Sequence, residues 1–380
     1  MLGRFATLIG AGALAFGGLA AVVPTPAIAA VITVTSTADD GGTGTLRYAI
    51  ETAAIDPGGD TVVLEAGATY QLGCAEGGDL EHSTTPLVID GNGATIEQTC
   101  DGYRALTAGS ELELRDVTIT GGDLDGPGGG VYAGGATTIR RSTIRGNSAG
   151  ANLSGGGVYA STDITIVDST IAGNTARNGG GLFVRGSATI VNSTFTGNGA
   201  TGGGEGAGIG GAVESDSETS LEIAYSTFVG NVAGSLGDGV YVGEDATATF
   251  FANIVADNDC YTGNVGTSVT DEGYNVADAT AMLTCKFSET TDVETSDVML
   301  GPLASNGGPT QTMLPASASP AIDVVPDAEC QTAPATGVTT DQRSLARPGV
   351  AGGACDSGAV EVQPPAPVPA PVELEPAFTG

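Results

Sequence analysis

The chain has 380 residues, with 44 acidic side chains against 12 lysines and arginines, a formal net charge of −32 and no tryptophan. So large a negative excess excludes nucleic acid and anionic membrane as partners, because both need a cationic face. The 62 glycines, with abundant Thr, Ala and Val and a single lysine (Lys286), favour many short strands joined by tight turns over a helical core.

At the start, Arg4 precedes a run of small and apolar residues from Phe5 to Val23, followed by Pro24, Pro26 and the A-x-A-like Ala27-Ile28-Ala29. That layout predicts a signal peptide over 1–29, cleaved after Ala29, and a secreted, extracellular chain able to reside at the cell surface. No later stretch reaches the roughly 18 apolar residues that span a bilayer, so no transmembrane segment is expected in the mature chain. Next, Thr45–Ala54 (TLRYAIETAA) places Leu46, Ala49, Ile50 and Ala53 on one helical face ahead of Pro57. This is a short amphipathic helix suited to plug the open end of a solenoid.

The middle of the chain repeats. STIRGN ends at Asn147, STIAGN at Asn174, STFTGN at Asn198, STFVGN at Asn231 and the degenerate NIVADN at Asn258, intervals of 27, 24, 33 and 27 residues. The long interval holds a glycine-rich loop around Gly202–Gly211. Aligned on the final Asn, one column reads Ile144, Ile171, Phe195, Phe228, Val255 and another Ile139, Ile166, Ile190, Ile223, Phe250. Between them run Thr-rich columns, Thr138, Thr165, Thr189, Thr249 and Thr143, Thr170, Thr194, Thr227. Period-two alternation of β-branched residues means strand, which excludes helical repeats, and repeats of this length mean stacked coils. The expected fold is all-β: a single-stranded right-handed parallel β-helix over 30–298, of the pectate-lyase-like solenoid kind, with a short N-terminal capping helix.

Within that fold the Asn column reads as a hydrogen-bonded structural ladder at a turn, with Asn itself taking the left-handed region. A Ser column (Ser142, Ser169, Ser193, Ser226) forms a second ladder, and repeated Gly-Gly-apolar elements at 128–132, 155–159 and 179–183 mark sharp bends. At roughly 25 residues per coil, residues 31–298 hold on the order of ten or eleven coils in a rod about 50 Å long. The cysteine separations of 26, 25 and 25 residues match one coil, so the pairs Cys74–Cys100, Cys260–Cys285 and Cys330–Cys355 are expected between adjacent coils.

Several of these elements resemble known bacterial surface sequences. The Gly-Gly-apolar and STF-x-G-N elements are similar to repeats of polymorphic outer membrane proteins and other right-handed β-helix repeat proteins. ITVTSTADDG followed by GTLRYAI resembles the CSLREA-type N-terminal motif, departing from it at Thr45 and Tyr48 and lacking its cysteines. Gly301–Asp323, DQRSLARP from Asp341 and CDSGAVE from Cys355 resemble, in order, the region of choice-of-anchor Q proteins, which would span 299–361. The resemblance implies an exported, surface-associated protein and leaves its chemistry open. Residues 362–380 are a Pro-rich spacer ending in a segment, Pro376–Gly380, faintly similar to a sortase signal but without its apolar span and basic tail.

Two classes of function compete. The first is a non-catalytic, adhesin-like role of a monomer that binds polysaccharide or another surface component. Its platform would be the outward Thr column (Thr143, Thr170, Thr194, Thr227) or the aromatics Tyr132, Tyr159, Phe183 and Tyr241. Glu113, Glu222 and Ile254 interrupt the Thr arrays, which argues against ice binding. The second is a Ca²⁺-dependent polysaccharide lyase or a glycoside hydrolase, for which two carboxylates, or an Arg base beside bound calcium, are needed. The one chemical cluster lies at a bend: Asp116, Arg141 and Asp168 in one column beside Arg115 and Arg140, most simply a stack of salt bridges. The acidic Asp123, Asp125, Asp257 and Asp259 are candidate Ca²⁺ ligands that read first as solvated loops, and the sole histidine, His82, lies outside the repeats. No catalytic residue and no metal site is assigned, and no cofactor is expected beyond that calcium.

Overall fold

The computed structural model describes residues 29–55, 58–75, 77–150, 153–202, 208–331 and 337–364. The expected signal peptide, apart from Ala29, and the Pro-rich tail beyond residue 364 lie outside the described residues.

The helix α1, Leu46–Ala53, forms where its pattern places it. Thr45 is the N-cap, its hydroxyl accepting from the Tyr48 amide, and Leu46, Ala49, Ile50 and Ala53 are buried. Arg47, also buried, is chelated by Asp39 (Nε–Oδ1 2.8 Å) and ties the cap to the Gly78 and Asp79 carbonyls.

Beyond the cap the chain winds as an all-β, right-handed parallel solenoid of about 9 turns. One set of stacked strands includes Thr137–Arg140, Ile164–Val167, Ala188–Val191 and Ser220–Ala224; a second, after a bend, includes Thr143–Arg145, Thr170–Ala172, Thr194–Thr196 and Thr227–Val229. A third, eight-stranded face includes Val131–Ala133, Val158–Ala160, Leu182–Val184 and Val213–Ser215. Among the described residues the strand pairs are parallel, with one register shift between Asp90 and Ala94, and the repeats stack in register, Ile139 with Ile166, Ile166 with Ile190, Ile190 with Ile223. Those columns point inward and are at most 1 % exposed, Phe195 stacking on Phe228 with centroids 5.0 Å apart. Each such side chain contributes about 1.5–3 kcal/mol by leaving water. The turns number fewer than the ten or eleven expected because two intervals are long. Val31 pairs with Thr61 around α1, and Ala188 pairs with Leu221 around the glycine-rich loop.

The Asn ladder is present, with one correction. Each amide donates to the next, Asn147 to Asn174, Asn174 to Asn198, Asn198 to Asn231 and Asn231 to Asn258, at 2.9–3.0 Å. The left-handed residue, however, is the one before: Gly146, Gly173, Gly197, Gly230 and Asp257 have φ of 50–64°. Turning the chain one residue early lets the Asn side chain point inward, where each Oδ1 also accepts the preceding coil's Asn backbone N–H. In the Ser column the ladder runs from backbone N–H to the next hydroxyl at 3.2 Å.

The three disulfides pair as expected, with Cα separations of 5.2, 4.8 and 5.9 Å. Only the first two bridge neighbouring coils. Cys330–Cys355 instead staples the C-terminal segment to itself, next to the antiparallel bridge Val325–Cys355.

That segment, 299–361, has isolated antiparallel bridges in place of regular strands, and it lies back along the rod. Thr170 donates to the Gln311 carbonyl and Thr194 to Gln342 Oε1, both at 2.6 Å, and Thr227 accepts from the Ala359 amide at 3.0 Å. Gln342, fully buried, also donates to the Ser169 carbonyl and to the Thr170 and Thr310 hydroxyls. Of the expected outward platform, Thr170, Thr194 and Thr227 therefore form a covered seam, 0–2 % exposed, while Thr143, 9 % exposed, lines a cleft instead. The seam's hydroxyls serve as the docking points of the chain's own C-terminal segment. Replacing Gln342 by alanine removes its side-chain hydrogen bonds to Thr194, Ser169, Thr170, Thr310 and Gln311 and leaves the Thr194, Ser169 and Thr170 partners buried. The variant should keep the rod's circular dichroism while limited proteolysis cuts within 299–361 several-fold faster.

Candidate functional site

The bend between the first two strand sets repeats a left-handed residue: Asp116, Arg141, Asp168, Asn192, Tyr225 and Ala252, all with φ of 47–53°. Beside it the first strand set ends on Asp90, Arg115, Arg140, Val167, Val191, Ala224 and Phe251, in register. Both columns change character partway along the rod. Their later half is apolar and lies under Val325, Cys330 and Cys355, with the Tyr225 hydroxyl donating to the Cys330 carbonyl at 2.9 Å and Arg347 stacked 4.1 Å over its ring. The earlier half is charged, and the C-terminal segment reaches its edge, where Thr310 donates to the Asp168 carbonyl, the Thr340 carbonyl accepts from Asn192 and Pro309 lies beside Arg141.

Within the charged half the expected salt-bridge stack is only partly made. Arg141 chelates Asp116 (Nε–Oδ1 2.8 Å, Nη2–Oδ2 2.6 Å), which holds its guanidinium even more firmly protonated. Arg115 is chelated in the same way by Glu113, through 2.7 and 2.6 Å contacts. Asp168 makes no ion pair among the described residues, because Arg141 spends its fork on Asp116. It accepts instead from Asn192 Nδ2 at 3.3 Å, and burial pushes its carboxyl up to about 6. Arg140, the remaining member of the cluster, also makes no ion pair among the described residues.

Two clefts flank this point. One, of about 410 Å³, is lined by Asn92, Asp116, Thr118, Arg141 and Thr143 and is closed at one end by Pro309 of the C-terminal segment. The other, of about 370 Å³, lies between Arg140, Asp168, Thr189 and Asn192 on the rod and residues 337–340. Sequence reasoning found the Asp-Arg column but missed Asn192 and the covering loop. Asn192 aligns with Asp168 in the repeat, and that alignment was the available signal.

The aromatics are placed differently from a sugar platform. Tyr132 stacks on Tyr159 and Tyr159 on Phe183 with centroids 5.4 and 5.1 Å apart and nearly parallel planes, while Tyr241 stacks on Tyr261. Arg104 caps the end of the first stack, 5.2 Å above Tyr132. The facing ring surfaces are thus used by one another. Glu214 stands in the same column, in register between Phe183 and Tyr241.

Asp257 and Asp259 line a recess of about 590 Å³ with Asp238, Asp278 and Glu294. Asp123 and Asp125 lie elsewhere, and no three His, Cys, Asp or Glu side chains converge as metal ligands among the described residues. His82 is buried under α1, its ring nitrogens on the Thr85 carbonyl (2.8 Å) and the Ile50 carbonyl (3.4 Å). Among the described residues no helix is long and apolar enough to cross a membrane.

No curated protein and no solved structure matches the chain. The family model of the right handed beta helix region matches residues 105–281, the stretch that carries the Asn ladder and the Asp-Arg column.

Proposed function

We propose that this chain is an exported, monomeric, adhesin-like β-helix that binds a polysaccharide or another surface component without turning it over. The observation that carries the reading is the charged, partly exposed run of the bend column around Asn92, Asp116 and Arg141, beside which the chain's own C-terminal segment contributes only Pro309. A groove lined by paired charges and hydroxyls suits hydroxyl-rich ligands, while the bidentate Arg141–Asp116 pair removes both groups from acid–base work. Three disulfides suit an oxidising destination, as does the signal-peptide layout of residues 1–29. The resemblance of 299–361 to choice-of-anchor Q proteins supports surface association.

The purified mature chain should be retained by insoluble cell-wall glycans. From a panel of acidic and neutral polysaccharides with Ca²⁺ present, it should release neither reducing nor unsaturated ends. A lyase or hydrolase reading is favoured by one observation only, the carboxyl of Asp168 held near 6 by burial. Sugar release that disappears in Arg141→Ala would establish that reading in place of the binding one.

A further inference from the structure

We propose that the cleft between Arg140, Asp168 and Asn192 and the loop 337–340 is a binding site for a single carboxylated sugar residue, a uronate at a chain end or branch. The proposal rests on the glycan-binding reading above and gives it a place and a ligand charge.

Three observations converge. Asn192 is 2 % exposed, and its side-chain Oδ1 has no hydrogen-bond partner. The amide's orientation is set by its other atom, since Nδ2 donates to the Thr340 carbonyl at 2.7 Å and to Asp168. The acceptor is therefore left without a partner at the wall of the cleft, an arrangement native structures rarely leave unmet. Arg140 lines the same cleft and makes no ion pair among the described residues, whereas its neighbours in sequence and in column, Arg141 and Arg115, are both chelated. A free guanidinium fork matches a carboxylate. Finally, Val167 and Val191 give the cleft an apolar wall and Thr189 adds a hydroxyl.

A uronate answers each feature at once. Its carboxylate accepts from Arg140, a ring hydroxyl donates to Asn192 Oδ1, and its C–H face lies on the two valines. The net charge of −32 repels a long polyanion, so one terminal or branching residue is recognised and the rest of the glycan is neutral. Asp168 lies in the field of Arg140, Arg141 and Asp341, and burial keeps its carboxyl near 6. Ionisation of Asp168 adds a negative charge beside the bound carboxylate, so affinity falls as pH rises through 6.

Calorimetric titration of the mature chain with glucuronate, galacturonate and glucose tests this, with the Asn192 side-chain amide followed by NMR. The expected result is saturable binding of a uronate in preference to glucose, a shift of that amide, and an affinity several-fold higher at pH 5 than at pH 8. Arg140→Gln should lose at least tenfold in affinity with its melting temperature unchanged, while Arg185→Gln, paired with Asp216 away from the cleft, retains wild-type affinity. Equal binding of glucose, or uronate binding that neither shifts Asn192 nor responds to Arg140→Gln, overturns the cleft and leaves glycan retention standing. Loss of both retention and titration in the wild type sinks the glycan-binding reading itself.

Discussion

Replacing Glu214 by glutamine should leave the melting temperature nearly unchanged at pH 4 and raise it by roughly 5 °C at pH 7. Glu214 is 6 % exposed, its Oε2 has no partner, and it sits in register between Phe183 and Tyr241 in the aromatic column. Burial, with Asp216 adding to it, pushes its carboxyl up to about 9 from an ordinary 4.5. The folded chain therefore binds this proton more tightly than the unfolded chain does. The stability linked to it is fully present below pH 4.5 and is lost progressively as pH rises towards 9. At pH 7 the difference is roughly 3 kcal/mol, taking 1.36 kcal/mol per pH unit above the ordinary value. Glutamine has the same shape and no charge to titrate, so the variant's stability should fall less steeply across that interval, the remaining slope coming from groups such as Asp168. A variant whose stability falls with pH as steeply as the wild type would show that another group carries the dependence.

The stacked columns of the rod differ in how far they could be read from the residues. Inward positions were legible because a side chain that must be apolar in every coil leaves a period-two trace, and Ile139, Ile166, Ile190 and Ile223 fall where that trace puts them. The cap α1 was legible for the same reason at helical period. Outward positions carry no such trace. Thr170 and Thr194 looked like a free threonine array, yet their hydroxyls hold Gln311 and Gln342, more than 140 residues away in sequence. Nothing local to STIAGN or STFTGN announces that partner. The clue was at a distance, in the DQRSLARP and CDSGAVE segments, whose Asp341, Gln342, Arg347 and Ser357 are all buried against the rod or within the cover. Asp168 was likewise read as one more member of a salt-bridge stack. Charge alternation alone could not show that Arg141 has a single fork and that Asp116 occupies it.

The seam also explains why the charged half of the bend is the part left for a ligand. Where the columns read Val191, Ala224, Tyr225 and Phe251, exposed apolar surface would be a liability, and the C-terminal segment covers it. Where they read Arg115, Asp116 and Arg141, covering would bury charge at high cost, and of the segment only Pro309 lines the cleft there.

Loss of one rung of the Asn ladder should be the most damaging single change in the rod. Asn198 is fully buried; its Nδ2 donates to the Ile171 carbonyl and to Asn231 Oδ1, both at 2.9 Å, and its Oδ1 accepts from the Asn174 backbone N–H at 3.1 Å. Leucine is close in size but offers none of these bonds, so the Asn174 amide is left buried without a partner and the Ile171 carbonyl loses a donor. At 1–3 kcal/mol for each orphaned group, Asn198→Leu should destabilise by about 4 kcal/mol. Thr165→Val, on the partly exposed face of the neighbouring coil, should stay within about 0.5 kcal/mol. Because each coil contacts only its neighbours, the damage should also be local. Hydrogen exchange should accelerate first in the coils holding Asn174, Asn198 and Asn231, with the α1 cap and its disulfide at Cys74–Cys100 unchanged. Uniform acceleration along the whole rod would mean that the solenoid opens as one unit, and that the ladder acts through global stability and not rung by rung.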